Sequence, residues 1–245
     1  MTVFTSWELT SDEFAWLWFD ADLDAFPDPI DVRESLTSAA EYDDHCRALA
    51  AKFPRGDAND PRPALRAIVE AEVRITGSGF VHATGDRIRS IAAATRDRNV
   101  LLVQSPSAEP TFGANVRIAV VRRPDLLRSF AFTLPEANPG NAGLLVGYTP
   151  RVRGDEQPSS YASAAPTVEE RMRVLLRQPR TAEGAIRLDH PRAYGPTYLS
   201  WIDVAGARSS GRYLISVDEG CSDTVFTPTG PEQLASELRR RIQPI

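Results

Sequence analysis

The sequence predicts an α+β fold built from two similar halves. In each half a helical segment precedes four short apolar-rich segments, and a proline next to an acidic residue then opens a further helical segment. Short runs rich in β-branched and aliphatic residues are typical of strands. Two such units, each with an antiparallel sheet that must bury one face, predict a pseudo-symmetric body. The alternative is a chance likeness between short strands.

Eight strands are predicted from these apolar runs. In the first half they cover 72–76, 87–95, 99–104 and 115–121, and in the second half they cover 184–189, 198–204, 212–217 and 223–227. The run from Val100 to Val103 is continuously apolar, as expected for a central strand that is covered on both faces. A ninth apolar run, 144–148, predicts one further strand between the two halves.

Two helix starts are marked by complete capping patterns. Thr10 stands three residues before Glu13, and Thr167 stands three residues before Glu170. This is the spacing of a capping box, in which two side chains satisfy backbone N–H groups at a helix N-terminus. We therefore predict that a helix begins directly after each threonine.

The remaining predicted helices have weaker start signals. Asp31 is predicted to cap a second helix that ends at residue 53, and a short third helix is predicted over 63–71. The helices that close the two halves are predicted to start at Pro124 and Pro231. The last helix carries an apolar stripe with a spacing of four residues, formed by Leu234, Leu238 and Ile242.

The chain divides naturally at a segment of different composition. Residues 135–166 are rich in Pro, Gly, Ser and Asn, and the part from 151 to 165 lacks apolar periodicity. Such a segment is typical of a mobile linker. We therefore predict an N-terminal α+β subdomain over 1–134, a connecting segment with a flexible loop over 135–166, and a C-terminal α+β subdomain over 167–245.

Charge and composition argue against several classes of protein. The formal net charge of the 245 residues is −5, whereas nucleic-acid-binding domains usually carry a basic patch. No apolar run approaches the roughly 20 residues that span a bilayer, and the N-terminus lacks a signal-peptide pattern, so we expect a cytoplasmic protein. The two cysteines, Cys46 and Cys221, lie far apart in sequence and are expected to be thiols in a reducing compartment.

The histidines and cysteines do not form a recognisable catalytic or metal-binding pattern. His45 and Cys46 are adjacent, and neighbouring residues on a helix point about 100° apart, which suits neither a nucleophile–base pair nor a chelate. His82 and His190 have no companion at the spacing of metal ligands. We therefore predict no catalytic residue, no metal site and no cofactor.

Two further patterns resemble ligand-binding motifs but depart from them at decisive positions. The segment 77–79 (Gly-Ser-Gly) offers two glycines of a dinucleotide fingerprint, but His82 occupies the place of the third, and we predict a hairpin turn. The acidic segment 20–31 has the spacing of a calcium loop, but Ala25 stands where the sharp turn requires glycine. Neither a nucleotide site nor a calcium site is predicted.

Several short motifs, in their order along the chain, resemble the EspG family of cytosolic chaperones of actinobacterial ESX (type VII) secretion systems. They are the segment 9–14 (Leu-Thr-Ser-Asp-Glu-Phe), the turn 134–140 (Leu-Pro-Glu-Ala-Asn-Pro-Gly), Asp203 followed by 211–214 (Gly-Arg-Tyr-Leu), and Thr227-Pro228 before an amphipathic terminal helix. The resemblance covers most of the chain, including its doubled layout.

The resemblance implies a fold and a function. The fold would be a quasi-two-fold body with a central antiparallel sheet flanked by helical bundles. The protein would bind the tip of a helical PE–PPE heterodimer, cover an aggregation-prone apolar surface, and hold the pair soluble until secretion, without catalysis.

The resemblance also implies where the partner binds, on the sheet and the C-terminal helical region. On this basis the predicted partner-binding residues are Tyr198, Trp201, Tyr213, Leu234, Leu238 and Ile242. The alternative for each of them is a place in the core of the second half.

The alternative function is that of a small-molecule enzyme or a ligand-binding protein with a cleft between the two halves. In the enzyme, Asp189 and His190 would act as acid and base. A ligand-sized apolar pocket with convergent polar groups around His190 would favour this alternative.

Overall fold

The computed structural model describes residues 3–35, 38–109, 112–156, 165–191, 195–206, 209–218, 220 and 222–242. The strands of the described part are β1 (Val3–Leu9), β2 (Val73–Val81), β3 (Arg87–Ala94), β4 (Asn99–Pro106), β5 (Gly113–Val121), β6 (Leu145–Tyr148), β7 (Arg180–Asp189), β8 (Thr197–Val204), β9 (Gly211–Asp218) and β10 (Asp223–Pro228). The helices are α1 (Ser11–Asp20), α2 (Ala39–Lys52), α3 (Arg62–Val69), α4 (Leu126–Ala131), α5 (Thr149–Arg153), α6 (Val168–Leu176) and α7 (Pro231–Ile242). The predicted strand positions are confirmed, including that of the additional strand between the halves.

All ten strands form one antiparallel sheet. Their order across the sheet is β1-β5-β4-β3-β2-β7-β8-β9-β10-β6. The strand order β5-β4-β3-β2 in the first half of the sheet corresponds to the order β10-β9-β8-β7 in the second half, when each is counted from its outer side to the centre. The two halves therefore meet where β2 pairs with β7. The predicted α+β fold with a quasi-two-fold arrangement is confirmed. The division at residues 134 and 166 stays a prediction, since β2 and β7 are neighbours in a single sheet.

The helices cover the two faces of the sheet in different ways. On one face, which we call the shared face, α4 and α7 lie together and form one apolar core with strands of both halves. On the other, the divided face, α1, α2 and α3 cover the first half and α5 and α6 cover the second, each with its own core. The two central strands contribute buried side chains to the shared-face core alone, within the described residues.

The capping patterns have the predicted effect at both helix starts. The Thr10 side chain accepts a hydrogen bond from the backbone of Glu13, whose carboxylate accepts one from the backbone of Thr10. The same reciprocal pair joins Thr167 and Glu170 at the start of α6. Both helices therefore begin one residue after the threonine, as predicted.

The glycines at 77–79 lie inside β2, so the predicted hairpin turn is wrong. Gly79 stands opposite Gly184 of β7 in the central strand pair. A Cβ atom at Gly184 would lie 2.0 Å from the Ser78 carbonyl oxygen, and one at Gly79 would lie 2.4 Å from the Glu183 carbonyl oxygen and 2.9 Å from the Trp201 ring. These glycines permit a close backbone approach and leave room for the indole, rather than reversing the chain.

Two further predictions from the N-terminal region are corrected. Strand β1 was not predicted, although residues 3–9 alternate between partly buried and exposed positions as an edge strand does. The second helix begins after Ser38, not after Asp31, because the Asp31 backbone exchanges two hydrogen bonds with the Gln104 side chain, at 3.1 and 2.7 Å. This exchange holds the chain before α2 against β4.

The predicted mobile loop falls mostly outside the described residues. Its first residues, up to Arg153, belong to α5, while 157–164 are not described. Cys221 also lies outside the described part, so the expectation of two unpaired thiols is not addressed there. Cys46 is a free cysteine.

Candidate interaction surface

The uncovered surface of the central strands lies on the divided face, between the two helical layers. Cross-strand pairing aligns Ser78 of β2, Ala185 of β7, Ser200 of β8 and Ile215 of β9 in one row across this surface. All four side chains are partly or fully exposed. The small side chains of Ser78, Ala185 and Ser200 leave a shallow floor between α1–α3 on one side and α5–α6 on the other.

Two large exposed residues stand next to this row. Tyr198 pairs with Arg187 and is 62% exposed, and Val217 of β9 is 46% exposed. Extending the register in which Ser200 faces Ile215 by two residues places Tyr198 beside Val217. We call this surface the central strip, formed by Ser78, Ala185, Arg187, Tyr198, Ser200, Ile215 and Val217. Neighbouring exposed apolar side chains with polar surroundings are a mark of interaction surfaces.

A charged network borders the central strip. Asp189 accepts hydrogen bonds from Nε and Nη2 of Arg187, at 3.0 and 2.8 Å, and lies 3.5 Å from Nε of Arg74 on the neighbouring strand. The hydrogen bond from Arg187 to Asp189 raises the pKa of the arginine. Arg187 is thus oriented along the floor of the strip with a fixed counter-ion, at a position that solvent reaches.

The six predicted partner-binding residues fall into two groups. Tyr198 lies on the central strip, whereas Trp201, Tyr213, Leu234 and Leu238 have no more than traces of exposed surface. Side chains without accessible surface cannot contact a partner in this conformation. These four residues are core residues, which is the alternative stated for each of them in the sequence analysis. Ile242 is partly buried and lines a cleft of about 350 Å³ at the shared face, beside Val73 and Leu127.

A buried ion pair connects the motifs at 203 and 211–214 with the turn at 134–140. Arg212 is fully buried and donates to both carboxylate oxygens of Asp203, and its Nη2 also donates to the Pro135 carbonyl at 2.6 Å. The guanidinium carbon lies 4.9 Å from the centre of the Trp201 ring. Arg212 therefore ties the connecting segment to β8 and β9 on the shared face.

The same segment continues around the end of β9 to the divided face. The Gly140 N–H donates to the Arg212 carbonyl at 3.0 Å, and the Ala142 N–H donates to the Tyr213 hydroxyl at 2.8 Å. Burial raises the pKa of Tyr213, opposed by this hydrogen bond. A Cβ atom at Gly140 would lie 2.0 Å from the Tyr213 ring, so glycine is required where the chain crosses the tyrosine. These contacts fix the path of the chain toward β6 and the helices that flank the central strip.

The chemical candidates of the sequence do not assemble into a reactive cluster in the described part of the chain. No group of three or more His, Cys, Asp or Glu side chains that could hold a metal ion is found among those residues. His82 lies 3.2 Å from a carboxylate oxygen of Glu183, at the end of the β2–β3 hairpin. No helix in the described residues is long and apolar enough to span a membrane.

Comparison with known families gives a match over nearly the whole chain. The EspG family model matches residues 10–240, which include the capping box at Thr10, the turn at 134–140, the Asp203–Arg212 pair and most of α7. This chain belongs to the EspG family. The resemblance to this family, predicted from short motifs in the sequence, is thereby confirmed. A search of curated proteins gives no match for this EspG-family chain.

A solved structure shares the fold of this EspG-family protein. It is that of the Mycobacterium tuberculosis type VII secretion system chaperone EspG5 in complex with a PE25–PPE41 dimer. The TM-score is 0.63, with 14% sequence identity, over 98% of this chain and 97% of EspG5. At 14% sequence identity, this similarity shows a shared fold.

Proposed function

We propose that this EspG-family protein is a cytosolic chaperone of a type VII (ESX) secretion system. It binds the tip of a helical PE–PPE-type heterodimer, keeps the pair soluble and directs it to the secretion machinery. Family membership and the fold shared with EspG5, which was solved with a PE25–PPE41 dimer, support this role. No catalytic step belongs to it.

The central strip is the observation that carries the proposal. Its exposed Tyr198 and Val217 can cover apolar side chains at the tip of a helical client, because such contacts remove apolar surface of both partners from water. The Arg187–Asp189–Arg74 network at its border sets the orientation in which a client docks, since charges at the rim of an interface give register more than affinity.

The flanking helices define how a client approaches. A helical tip that enters between α1–α3 and α5–α6 meets sheet on its end and helices on its sides, so it loses more surface than it would on a flat sheet. Binding of this kind lowers the concentration of free client and thereby opposes its aggregation by mass action.

Co-expression tests the proposal directly. The chain, produced together with a PE–PPE-type pair, is expected to yield a soluble complex with one copy of each protein, measured by size exclusion with light scattering. A matched client, in which apolar residues at the helical tip are changed to serine, is expected to escape capture. Failure to form a complex with several such pairs contradicts the proposed function.

A further inference from the structure

A cleft of about 350 Å³ opens on the shared face, beside the paired residues that end the β2–β3 ladder. Both halves contribute to its wall, which contains apolar side chains and two arginines: Val73, Ala94, Leu127, Ile242, Arg123 and Arg239. The apolar members belong to the shared-face core or pack against it. Mostly apolar walls with a few polar groups are typical of small-molecule sites. We call this site the arginine cleft.

The two arginines of the cleft come from different elements. Arg123 stands in the short 3-10 turn before α4, and Arg239 stands in the last turn of α7. Both are exposed, and neither forms an ion pair with another described residue. Among the described residues, no acidic side chain lines the cleft. Two like charges at one cleft create a positive potential that attracts anions.

The acids nearest in sequence to these arginines are held by other side chains. Glu237 accepts hydrogen bonds from Arg240 and Arg241, at 2.7 and 2.9 Å, and the bonds from Arg240 are the chief cause of its lowered pKa. Asp125 accepts a hydrogen bond from Arg122 at 3.0 Å. These carboxylates are thus already engaged away from the cleft lining.

The corresponding place in the second half is covered by the chain itself. The closing helices of the two halves start alike, after Arg123-Pro124 in the first half and Gly230-Pro231 in the second. A Cβ atom at Gly230 would lie 3.2 Å from the Pro139 ring, so the connecting segment packs on this turn. Arg123 is exposed instead. The open cleft is therefore a feature of the first half and not of the architecture that both halves share.

We propose that the arginine cleft binds an aliphatic carboxylate of the fatty-acid type. The alkyl chain lies against Val73, Leu127 and Ile242, where it is removed from water. The carboxylate accepts hydrogen bonds from Arg123 and Arg239, because a planar guanidinium matches the two oxygens of a carboxylate. The anion also reduces the repulsion between the two arginines.

The size and place of the cleft define what it can hold. Its volume lies at the lower end of the range of ligand pockets, which suits one short alkyl chain rather than the helical tip of a client. The cleft is on the shared face and the central strip is on the divided face, so ligand and client can be bound together. A bound ligand contacts both halves and should raise the thermal midpoint.

Titration calorimetry with three probes, all below their micellar concentrations, tests the ligand class. Decanoate is expected to bind. Decanol has the same chain without the charge, and acetate has the charge without the chain, so each should bind at least about tenfold more weakly. No measurable binding of decanoate, or binding of decanol as tight as that of decanoate, overturns the proposal.

Variants of the two arginines test the location. Arg123→Gln and Arg239→Gln are each expected to weaken decanoate binding at least about tenfold and to leave decanol binding unchanged, because only the contact with the carboxylate is lost. Both side chains are exposed, so the variants should fold, as circular dichroism can verify. Arg153→Gln, at an exposed arginine of α5, is the matched control. Wild-type decanoate affinity in both cleft variants contradicts the proposal.

A change on the central strip shows whether decanoate binds there instead. Tyr198→Glu should bind decanoate like the wild type, because Tyr198 does not line the cleft. Loss of decanoate binding in this variant would place the ligand on the central strip and refute the cleft site.

The client-binding experiment separates this inference from the proposed function. Saturating decanoate and the variant Arg239→Gln are each expected to leave capture of the heterodimer unchanged. A chain that binds decanoate but captures no client would contradict the proposed function and leave the cleft site standing. Displacement of decanoate by the client would show that the cleft belongs to the client surface, and would overturn a separate ligand site.

Discussion

Arg212 donates two hydrogen bonds to Asp203, from Nε to Oδ1 at 2.7 Å and from Nη2 to Oδ2 at 2.6 Å, and both side chains are buried. Removing two charges from water is costly, and the pair recovers this cost through its fork-like geometry and a third hydrogen bond to Pro135. The pair joins β8 and β9 to the segment that leads to β6, and so holds the second half of the molecule in register.

Breaking this pair on one side should be more harmful than removing it. Asp203→Asn is expected to lower the free energy of unfolding by about 3 kcal/mol, because it leaves the buried Arg212 without a counter-ion. The double variant Asp203→Leu with Arg212→Met should lose less. Chemical denaturation measures both, and a double variant less stable than the single one would refute this account of the pair.

Gly184 should be intolerant of any side chain. A Cβ atom there would lie 2.0 Å from the Ser78 carbonyl oxygen, so Gly184→Ala must move β2 away from β7 where the halves meet. We expect a loss of about 2 kcal/mol, in the range typical of overpacking. Gly195→Ala is the control, since no atom of the described residues lies within 4 Å of its added carbon. Equal thermal midpoints for the two variants would contradict the close approach.

Trp201→Asp should prevent folding rather than only weaken binding. Trp201 is fully buried on the shared face between Gly79 and the Arg212 guanidinium. A carboxylate there has no space for hydration, and we expect a loss of about 4 kcal/mol or more. Circular dichroism is the measurement. A variant with wild-type spectrum and stability would show that the indole is not a core residue.

Acid should loosen the N-terminal helical layer. Burial alone would raise the pKa of Asp20 and Asp60, but hydrogen bonds outweigh this effect, so the pKa of each is lowered. For Asp20 these bonds come chiefly from the Arg55 and Arg62 side chains, and for Asp60 chiefly from the Gly56 and Arg62 backbone N–H groups. A lowered pKa gives stability that is present above the unfolded value near pH 4 and lost as the pH falls through the folded value.

The pH dependence of the free energy of unfolding tests this linkage. Asp60→Asn is expected to flatten the decline below about pH 4, because the variant lacks one of the two carboxyl groups, Asp20 and Asp60, that lie beside Arg62. Asp24→Asn, at an exposed position in the same region, serves as the control. An unchanged acid slope in Asp60→Asn would show that this carboxylate does not contribute to the pH dependence.

Much of the fold was predictable because its signals are local. Capping boxes at Thr10 and Thr167 placed two helices to the residue, since threonine and glutamate at this spacing satisfy the first N–H groups of a helix wherever it packs. The strands of both halves were placed by their apolar runs, because burial of alternating residues leaves a period of two in the sequence.

Other features depend on contacts between distant residues and leave no such local signal. Whether Gly79 turns the chain or lies in a strand depends on Gly184, which is 105 positions later in the chain and opposite it in the sheet. Likewise, Tyr198 and Trp201 have similar sequence surroundings, yet Tyr198 is exposed, whereas Trp201 is buried in the shared-face core beside the Arg212 guanidinium. Tyr198 and Trp201 are three positions apart in one strand, so strand alternation alone predicts that their side chains point to opposite faces of the sheet.

The affinity for a PE–PPE-type heterodimer, measured by titration calorimetry for two aromatic variants, tests the central claim most directly. Tyr198→Glu, at 62% exposure on the central strip, is expected to weaken binding by about 2 kcal/mol, or some thirtyfold, as loss of an aromatic interface anchor does. Phe132→Glu, at 56% exposure beside the shared face, should bind like the wild type. Unchanged affinity in Tyr198→Glu, together with lost binding in Phe132→Glu, would place the client on the other face and contradict the account.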